Sequence, residues 1–202
     1  MKKLITVVTL ILLFSLPARA QQQTEYGTAN HVTFGYTTQT GDFGPNGFEA
    51  GLDYRLTKYL ALVGEGSFLW KKNRVNNVRT NLIPGGGVTD IRVSNNAQNF
   101  LFGPRVFFPR AFREPKVVPF AHLLFGVSRQ STGINLALQE GEIGSSVDTN
   151  WSWTLGGGVD YWFNKKWAVR GKIDLLRTHF LDEGQSKARF TVAVGYNFDF
   201  RR

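Results

Sequence analysis

Three histidines are the residues of this chain best suited to proton transfer or metal binding at neutral pH. They are His31, His122 and His179, and they stand far apart, without H-E-x-x-H spacing or a similar metal-binding pattern. The chain has no cysteine, which excludes a disulfide framework and a thiolate metal site. We therefore expect no metal and no cofactor, and we interpret His122 as a hydrogen-bonded interior residue.

Sequence patterns for nucleophilic catalysis and nucleotide binding are also missing. No nucleophile motif surrounds Ser131 or Ser186, and no acid can be placed beside His179 from the sequence. Gly156-Gly157-Gly158 lies inside a predicted strand, not between a strand and a helix, so it does not form a phosphate-binding loop. The sequence therefore predicts no catalytic residues and a protein that is not an enzyme.

The charged residues instead alternate with apolar ones in a way that predicts β-strands. From residue 189 to residue 200, aromatic residues and valines take the even positions, and polar or small residues take the odd positions. Such a period of two is typical of strands with one apolar and one polar face. Eight runs of this kind are present, at roughly 31–38, 48–56, 60–71, 99–108, 119–130, 151–163, 167–175 and 189–200.

The connections between these runs come in two kinds. Short turns at 57–59, 109–117 and 164–166 alternate with mostly longer segments at 39–47, 72–98, 131–150 and 181–187. In an up-and-down meander, alternate connections fall on opposite ends, and outer-membrane barrels have short periplasmic turns and longer outward loops. The sequence therefore predicts an all-β fold, an eight-stranded antiparallel up-and-down transmembrane β-barrel.

Aromatic residues near the strand ends indicate that the apolar face contacts lipid. Such rings favour the boundary between hydrocarbon and water, where they form girdles around transmembrane barrels. The predicted girdle consists of Trp70, Trp151, Trp153, Phe163, Trp167, Phe198 and Phe200.

The opposite face of the strands mixes charges of both signs with glycine. An eight-stranded barrel is only wide enough for side chains to fill it, and buried charges have to be paired. We therefore predict an interior network of ion pairs instead of an open pore. Its predicted members are Glu49, Asp53, Arg55, Glu65, Arg105, His122, Asp160, Arg170, Lys172, Asp174, Arg189 and Asp199.

The first twenty residues predict export. Lys2 and Lys3 precede an uncharged, mostly apolar run at 4–16, and Ala18-Arg19-Ala20 then provides small residues around a cleavage position. These features are typical of a secretory signal peptide. We therefore divide the chain into a cleaved signal peptide at 1–20, a short lead-in at 21–30 and the barrel at 31–202.

The net charge of +9 does not identify a partner. Three of the 24 basic residues and none of the 15 acidic ones lie in the first twenty residues, which leaves a balance of +6. The bases are spread along the chain without a nucleic-acid motif, so no nucleic-acid partner is expected. Anionic lipid headgroups explain the charge equally well.

Several segments resemble the outer-membrane β-barrel domain family, which includes the transmembrane domain of outer membrane protein A and its small homologues. They are Gly-Leu-Asp-Tyr-Arg-Leu at 51–56, Gly-Gly-Gly-Val-Asp-Tyr-Trp-Phe at 156–163, Asn-Lys-Lys-Trp-Ala-Val-Arg at 164–170 and Asp-Leu-Leu-Arg-Thr at 174–178. The resemblance implies a bacterial outer membrane and insertion by the barrel-assembly machinery. In this family the last strand usually ends in an aromatic residue, whereas here Phe200 is followed by Arg201-Arg202.

These observations predict a structural or surface-interaction protein, with the segments at 72–98 and 131–150 as outward contact loops. No ligand is specified, and a monomer is expected. One alternative is a narrow channel for small solutes or ions. Two others are a soluble lipocalin-like carrier and a rim-located lipid-modifying enzyme that uses His179 with Ser131 or Ser186.

Overall fold

A computed structural model describes residues 29–41, 44–80, 87–109, 111–112, 114–136, 142–180 and 183–198. The predicted signal peptide, most of the lead-in, Asp199, Phe200 and Arg201-Arg202 lie outside the described residues, as does the side chain of His179. Within the described part of the chain, no helix is long and apolar enough to cross a membrane.

Eight antiparallel strands form a closed barrel in which each strand pairs with its neighbours in chain order. The strands are β1 (Asn30–Gln39), β2 (Asn46–Arg55), β3 (Leu60–Thr80), β4 (Gly87–Phe107), β5 (Val117–Leu136), β6 (Glu142–Trp162), β7 (Trp167–Phe180) and β8 (Glu183–Phe198). β8 closes the barrel against β1, where Val32 lies opposite Tyr196. The predicted eight-stranded up-and-down barrel is confirmed.

Side chains cap two of the turns at one end of the barrel. Thr57 Oγ1 accepts hydrogen bonds from the backbone amides of Tyr59 and Leu60, at 3.2 and 3.0 Å. Asn164 Oδ1 accepts from the amides of Lys166 and Trp167, at 2.8 and 2.9 Å. Such side-chain acceptors replace backbone acceptors in tight turns.

The opposite end of the barrel differs from the sequence prediction. The segments 72–98 and 131–150, predicted as loops, are mostly paired strand: β3 and β4 pair as far as Thr80 with Gly87, and β5 and β6 as far as Asn135 with Glu142. The predicted connection at 181–187 is also wrong, because β8 begins at Glu183. These segments lack apolar alternation in the sequence, and the backbone hydrogen bonds of the wall nevertheless continue through them.

Burial follows the pleat along the barrel wall: the inward side chains are charged, polar or small apart from two buried apolar clusters, and the outward ones are mostly apolar. Large apolar side chains are openly exposed, among them Phe34 at 60 %, Val192 at 66 % and Trp151 at 68 %. A continuous apolar outer surface of this size is incompatible with water and fits lipid. This arrangement is the reverse of the lipocalin-like carrier, whose apolar face would line the interior.

Candidate functional site: the lumen and its outer mouth

Eleven of the twelve predicted interior residues are buried inside the barrel, and Asp199 lies outside the described residues. They comprise five carboxylates (Glu49, Asp53, Glu65, Asp160, Asp174), five Lys and Arg residues (Arg55, Arg105, Arg170, Lys172, Arg189) and His122. With His122 neutral, the formal charges of this set cancel. The alternation of the strands brings them together, because each occupies an inward position of its strand.

Arg105 connects two carboxylates near the middle of the lumen. Its Nη1 donates to both oxygens of Asp53, at 2.7 and 2.9 Å, and its Nη2 donates to Glu65 Oε1 at 2.5 Å. Its Nε also donates to His122 Nδ1 at 3.3 Å. One guanidinium thus joins side chains from β2, β3 and β5 across the barrel.

Arg170 forms a second junction on the side toward the short turns. Its Nε donates to Asp160 Oδ1 at 2.7 Å, and its Nη2 donates to Asp53 Oδ2 at 2.8 Å. Nη2 also contacts His31 Nε2, which lies 3.0 Å from Asp53 Oδ2. His31, which the sequence left without a role, is therefore part of the network. The sequence feature that could have indicated this role is the position of His31 on the inward face of β1.

Lys172 and Arg189 form the outer part of the network with three carboxylates. Lys172 Nζ lies 2.7 Å from Glu49 Oε1, 2.6 Å from Glu65 Oε2 and 3.2 Å from Asp174 Oδ2. Arg189 Nη2 donates to Asp174 Oδ2 at 2.7 Å. The ligand atoms of the three carboxylates lie within 4.8 Å of one another, a grouping that suits a metal ion, but the lysine ammonium lies among them. A covalently attached cation therefore takes the position that a metal would need.

A glycine gives this cluster its room. A Cβ at Gly156 would lie 2.1 Å from Asp174 Oδ1, which is closer than any real contact. Gly156 pairs with Asp174 across β6 and β7, so the missing side chain leaves space for the neighbouring carboxylate. Gly156, the first glycine of the triplet, thus serves the interior packing, as its position inside a strand indicated.

An apolar layer closes the lumen toward the short turns. Trp162, at 0 % exposure, packs with Phe107, Phe120, Ala61, Val118 and Ala168. The Arg55 guanidinium lies 3.2 Å from the Phe107 ring centroid, and those of Arg105 and Arg170 lie 4.5 and 4.7 Å from that of Phe120. Cations on aromatic faces are favourable contacts. The sequence prediction missed this apolar floor, although these residues share the inward parity of the charges.

A layer of hydroxyl and amide side chains lies on the outward side of the ion pairs. Asn99 Nδ2 donates to Ser67 Oγ at 2.9 Å, and Ser128 donates to Asn99 Oδ1 at 2.6 Å. Ser152 Oγ lies 2.9 Å from Ser128 Oγ, so the chain of contacts runs from β3 to β6. These polar groups are buried and satisfied by one another.

Beyond this layer the barrel opens into a cavity of about 440 Å³, which we call the outer mouth. The residues that line it are Gln39, Thr40, Gly41, Gly44, Pro45, Asn95, Ala97, Gln130, Gln185, Ser186 and Lys187. Gln39 and Asn95 are only 5 % and 6 % exposed. The outer mouth was not predictable from the sequence, because most of its lining lies in segments that were predicted as loops.

The six predicted girdle residues that the structure describes are found on the outer surface at the two ends of the lipid-facing wall. Trp70, Trp151, Phe163 and Trp167 are exposed, Trp153 and Phe198 are partly buried, and Phe200 lies outside the described residues. Trp151 on β6 and Phe163, the residue that follows β6, are twelve residues apart. At about 3.3 Å per residue and a tilt of about 40°, they are separated by about 30 Å along the barrel axis. That separation fits the apolar thickness of a membrane.

The residues of the lipid-modifying alternative do not form a described site. Ser186 borders the outer mouth, and Ser131 is partly exposed on β5. The backbone of His179 pairs with Gly184 of β8, but its side chain lies outside the described part. The structure therefore gives no contact between a serine and this histidine.

A closed antiparallel barrel with an apolar outer wall and a charged interior defines an integral membrane protein of the β-barrel class. A family model described as the outer membrane protein beta-barrel domain matches residues 6–198. The chain therefore belongs to this family and to the bacterial outer membrane. No curated protein sequence matches it.

Solved structures of small outer-membrane barrels are similar to the chain. The attachment invasion locus protein Ail of Yersinia pestis aligns with a TM-score of 0.55 and 13 % identity, over 85 % of this chain and 99 % of Ail. Neisserial surface protein A aligns with a TM-score of 0.52 and 12 % identity, over 85 % of this chain and 97 % of its own. OprG of Pseudomonas aeruginosa aligns with a TM-score of 0.52 and 12 % identity, over 87 % of this chain and 99 % of OprG. At these identities the likeness concerns the fold alone.

Proposed function

We propose that this protein is a closed outer-membrane scaffold whose outward hairpins, β3–β4 and β5–β6, are its contact surface. The observation that carries the closed state is the ion network that crosses the lumen above the Trp162 floor. A permeating ion would have to separate buried pairs, and breaking one such pair costs about 3–5 kcal/mol. It would then have to enter the buried apolar layer around Trp162.

The hairpins suit a contact surface because their backbones are paired nearly to the tips. Binding residues on a rigid support lose little conformational freedom when a partner binds. The two hairpins also carry opposite charge. Residues 71–92 contain five Lys and Arg residues and one Asp, whereas residues 131–150 contain three acids and no base. The basic β3–β4 hairpin therefore fits a polyanionic partner.

One relative supports the polyanion proposal. A second structure of Ail is described as a complex with the heparin analogue sucrose octasulfate. For this chain we extend that chemistry only to the β3–β4 hairpin, whose basic residues come from its own sequence. We further propose that residues 1–20 are a cleaved signal peptide, that the barrel-assembly machinery inserts the chain, that the barrel is monomeric among outer-membrane lipids, and that it has no enzymatic activity.

The closed state is tested in planar lipid bilayers. The folded protein is expected to give no resolved single-channel steps. Regular steps that change when Arg105 or Glu65 is neutralised would establish the narrow channel instead.

The contact surface is tested by binding to immobilised heparin. A variant in which residues 74–92 are replaced by an Asn-Gly turn keeps the pairing of Asn73 with Val93 and removes three bases. It is expected to lose most heparin binding, while a matched truncation of the β5–β6 hairpin retains it. A boiling-dependent gel shift verifies that each variant folds. Equal heparin binding by the two truncations would overturn the proposal.

A further inference from the structure

The lipid-facing wall contains a groove of about 510 Å³ that crosses β6, β7, β8 and β1, which we call the wall groove. It opens at Gly171, where an added Cβ would meet no atom within 4 Å. Gly171 pairs with Val159 of β6 and Val192 of β8, whose exposed side chains form the sides of the groove. Lys172 and Thr191 also border it, but their side chains point into the lumen. The accessible side chains are therefore mostly apolar.

The depth of the wall groove matches the end of an acyl chain. Gly157, another lining residue, lies six residues from Trp151 and six from Phe163, which mark the two ends of the lipid-facing wall. The groove is therefore near the middle of the hydrocarbon, which is about 30 Å thick. An acyl chain of an outer-leaflet lipid spans about 15 Å, half of that thickness, and its lower part reaches the groove.

Two arginines project from the outer rim of the same wall. Arg129 on β5 and Arg177 on β7 are exposed, and the residues before and after them in the pleat, such as Ser128 and Thr178, are buried. Within the part of the chain that the structure describes, neither guanidinium has a hydrogen bond or an ion pair. Both are therefore available to a group outside the barrel.

The described outward neighbours of these arginines provide no negative charge. Arg129 lies opposite Thr149 and Gln98, and Arg177 lies opposite Trp153 and Ser186. Two guanidinium groups without a neighbouring carboxylate favour an anion. A guanidinium matches the oxygens of a phosphate with two parallel hydrogen bonds, so the rim favours a phosphate over a neutral headgroup.

The distance between rim and groove fits one lipid molecule. Arg177 is six residues beyond Gly171 on β7, which corresponds to about 20 Å along the strand. With a strand tilt of about 40°, the separation along the barrel axis is about 15 Å. A lipid whose phosphate contacts Arg177 thus places the end of an acyl chain at Gly171.

We propose that this wall is a binding site for a phosphorylated lipid of the outer leaflet. The lipid phosphate contacts Arg177 and Arg129, and one acyl chain lies in the wall groove. The proposal rests on the outer-membrane location of the barrel and goes beyond the surface role, since it uses neither the β3–β4 hairpin nor the closed lumen.

Native mass spectrometry of the folded protein, released from detergent micelles, tests the proposal with three probes. Dimyristoyl phosphatidate has a phosphate and two chains, dimyristoylglycerol has only the chains, and inorganic phosphate has only the charge. Phosphatidate is expected to be retained most tightly, dimyristoylglycerol several-fold more weakly, and inorganic phosphate without a detectable complex. Equal retention of phosphatidate and dimyristoylglycerol, retention of inorganic phosphate alone, or no retention of phosphatidate would overturn the assignment.

The headgroup contact is tested by the double substitution Arg129→Gln with Arg177→Gln. It is expected to weaken phosphatidate binding by about tenfold or more, to the level of dimyristoylglycerol, because the charge-assisted hydrogen bonds are lost. Lys72→Gln is the matched control, since Lys72 is an exposed cation two residues beyond Trp70 on β3, away from the groove. Arg177→Gln alone replaces the double variant if the latter lacks the gel shift of a folded barrel. Unchanged phosphatidate binding in the folded variant would refute the headgroup site.

The groove is tested by Gly171→Leu, which fills it. This variant is expected to weaken phosphatidate and dimyristoylglycerol alike by several-fold. Gly64→Leu is its control, because a Cβ at Gly64 also meets no atom within 4 Å and Gly64 does not line the groove. Equal lipid binding by the two variants would refute the groove, and lipid-free dimers that Gly171→Leu abolishes would assign it to a second copy of the chain instead. The 74–92 truncation is expected to retain phosphatidate binding, which separates this site from the heparin contact.

Discussion

The lower lumen, which contains the ion network, and the outer mouth both bury polar side chains, but they differ in how those side chains are paired. In the lower lumen, carboxylates and cations contact one another at 2.5–3.2 Å. In the outer mouth, amide side chains line a cavity, and two of their oxygens have no donor among the residues that the structure describes. Buried charges are too costly to leave unpaired, whereas a buried amide oxygen is tolerable at a smaller cost. The lower lumen therefore gains its stability from paired charges, whereas the outer mouth contributes fewer hydrogen bonds among the described residues.

The largest effect is expected from Asp53→Ala. Asp53 contacts Arg105, Arg170 and His31, so its removal leaves two buried guanidinium groups without their shared carboxylate. We expect the free energy of unfolding to fall by about 5 kcal/mol, the upper part of the range for a broken buried pair. Denaturant titration in detergent or lipid vesicles, followed by tryptophan fluorescence and gel shift, measures it. Asp148→Ala in the outer β5–β6 hairpin is the control, and similar losses in both variants would contradict a special role for the network.

A somewhat smaller loss is expected from Lys172→Ala, and a divalent cation should reverse part of it. The substitution removes the ammonium that lies among Glu49, Glu65 and Asp174. We expect a loss of about 3 kcal/mol from the unbalanced charge. Three carboxylates are suitable ligands for Ca²⁺, and a ligand that binds only the folded state raises stability.

Calcium provides the specific readout for this variant. Millimolar CaCl₂ should raise the unfolding midpoint of Lys172→Ala more than that of the wild type, whose lysine already lies in that position. The same rise in both proteins would show that the calcium effect arises elsewhere, for instance at lipid headgroups.

Gly156 and Gly171, on the paired strands β6 and β7, allow the packed interior to be compared with the lipid-facing surface. At Gly156 an added methyl group would meet Asp174, whereas at Gly171 no atom lies within 4 Å of the added carbon. We expect Gly156→Ala to destabilise the barrel by about 1–3 kcal/mol because of overpacking. Gly171→Ala should change stability by less than about 0.5 kcal/mol or raise it slightly. The measurement is the denaturant midpoint of unfolding of each variant. Equal midpoints would mean that the carboxylate cluster around Asp174 adapts to the added methyl group.

The barrel wall was predictable because lipid imposes a strict rule on it. Residues such as Phe190, Val192 and Val194 alternate with polar neighbours wherever one face contacts hydrocarbon, so strand number and inward parity can be read directly. The same rule fails beyond the membrane. The outer parts of β3 to β6 have no apolar stripe, and their pairing is set by the ladder that continues from the wall.

The composition of the lumen was predictable only in part. Parity alone assigns Arg105 and Trp162 to the same face, but it does not give their height or their partners. Those depend on the register between strands, such as Arg105 opposite His122 and Asp160 opposite Arg170. For this reason the charged residues could be named from the sequence, whereas the separation into an apolar floor, an ion network and an outer mouth required the structure.

The smallest effect on the free energy of unfolding is expected from Gln39→Leu in the outer mouth, and comparison with Asn99→Leu tests the difference between the two regions. Gln39→Leu replaces an amide whose oxygen has no partner among the described residues, so little stabilisation is lost. We expect a change within about 0.5 kcal/mol, or a slight gain, because the cost of an unsatisfied acceptor disappears. Asn99→Leu, one layer deeper, removes the bridge between Ser67 and Ser128 and should cost about 1–3 kcal/mol. Paired denaturant titrations measure both. A loss for Gln39→Leu as large as that for Asn99→Leu would mean that its amide is already satisfied, and the outer mouth would then belong with the structural interior.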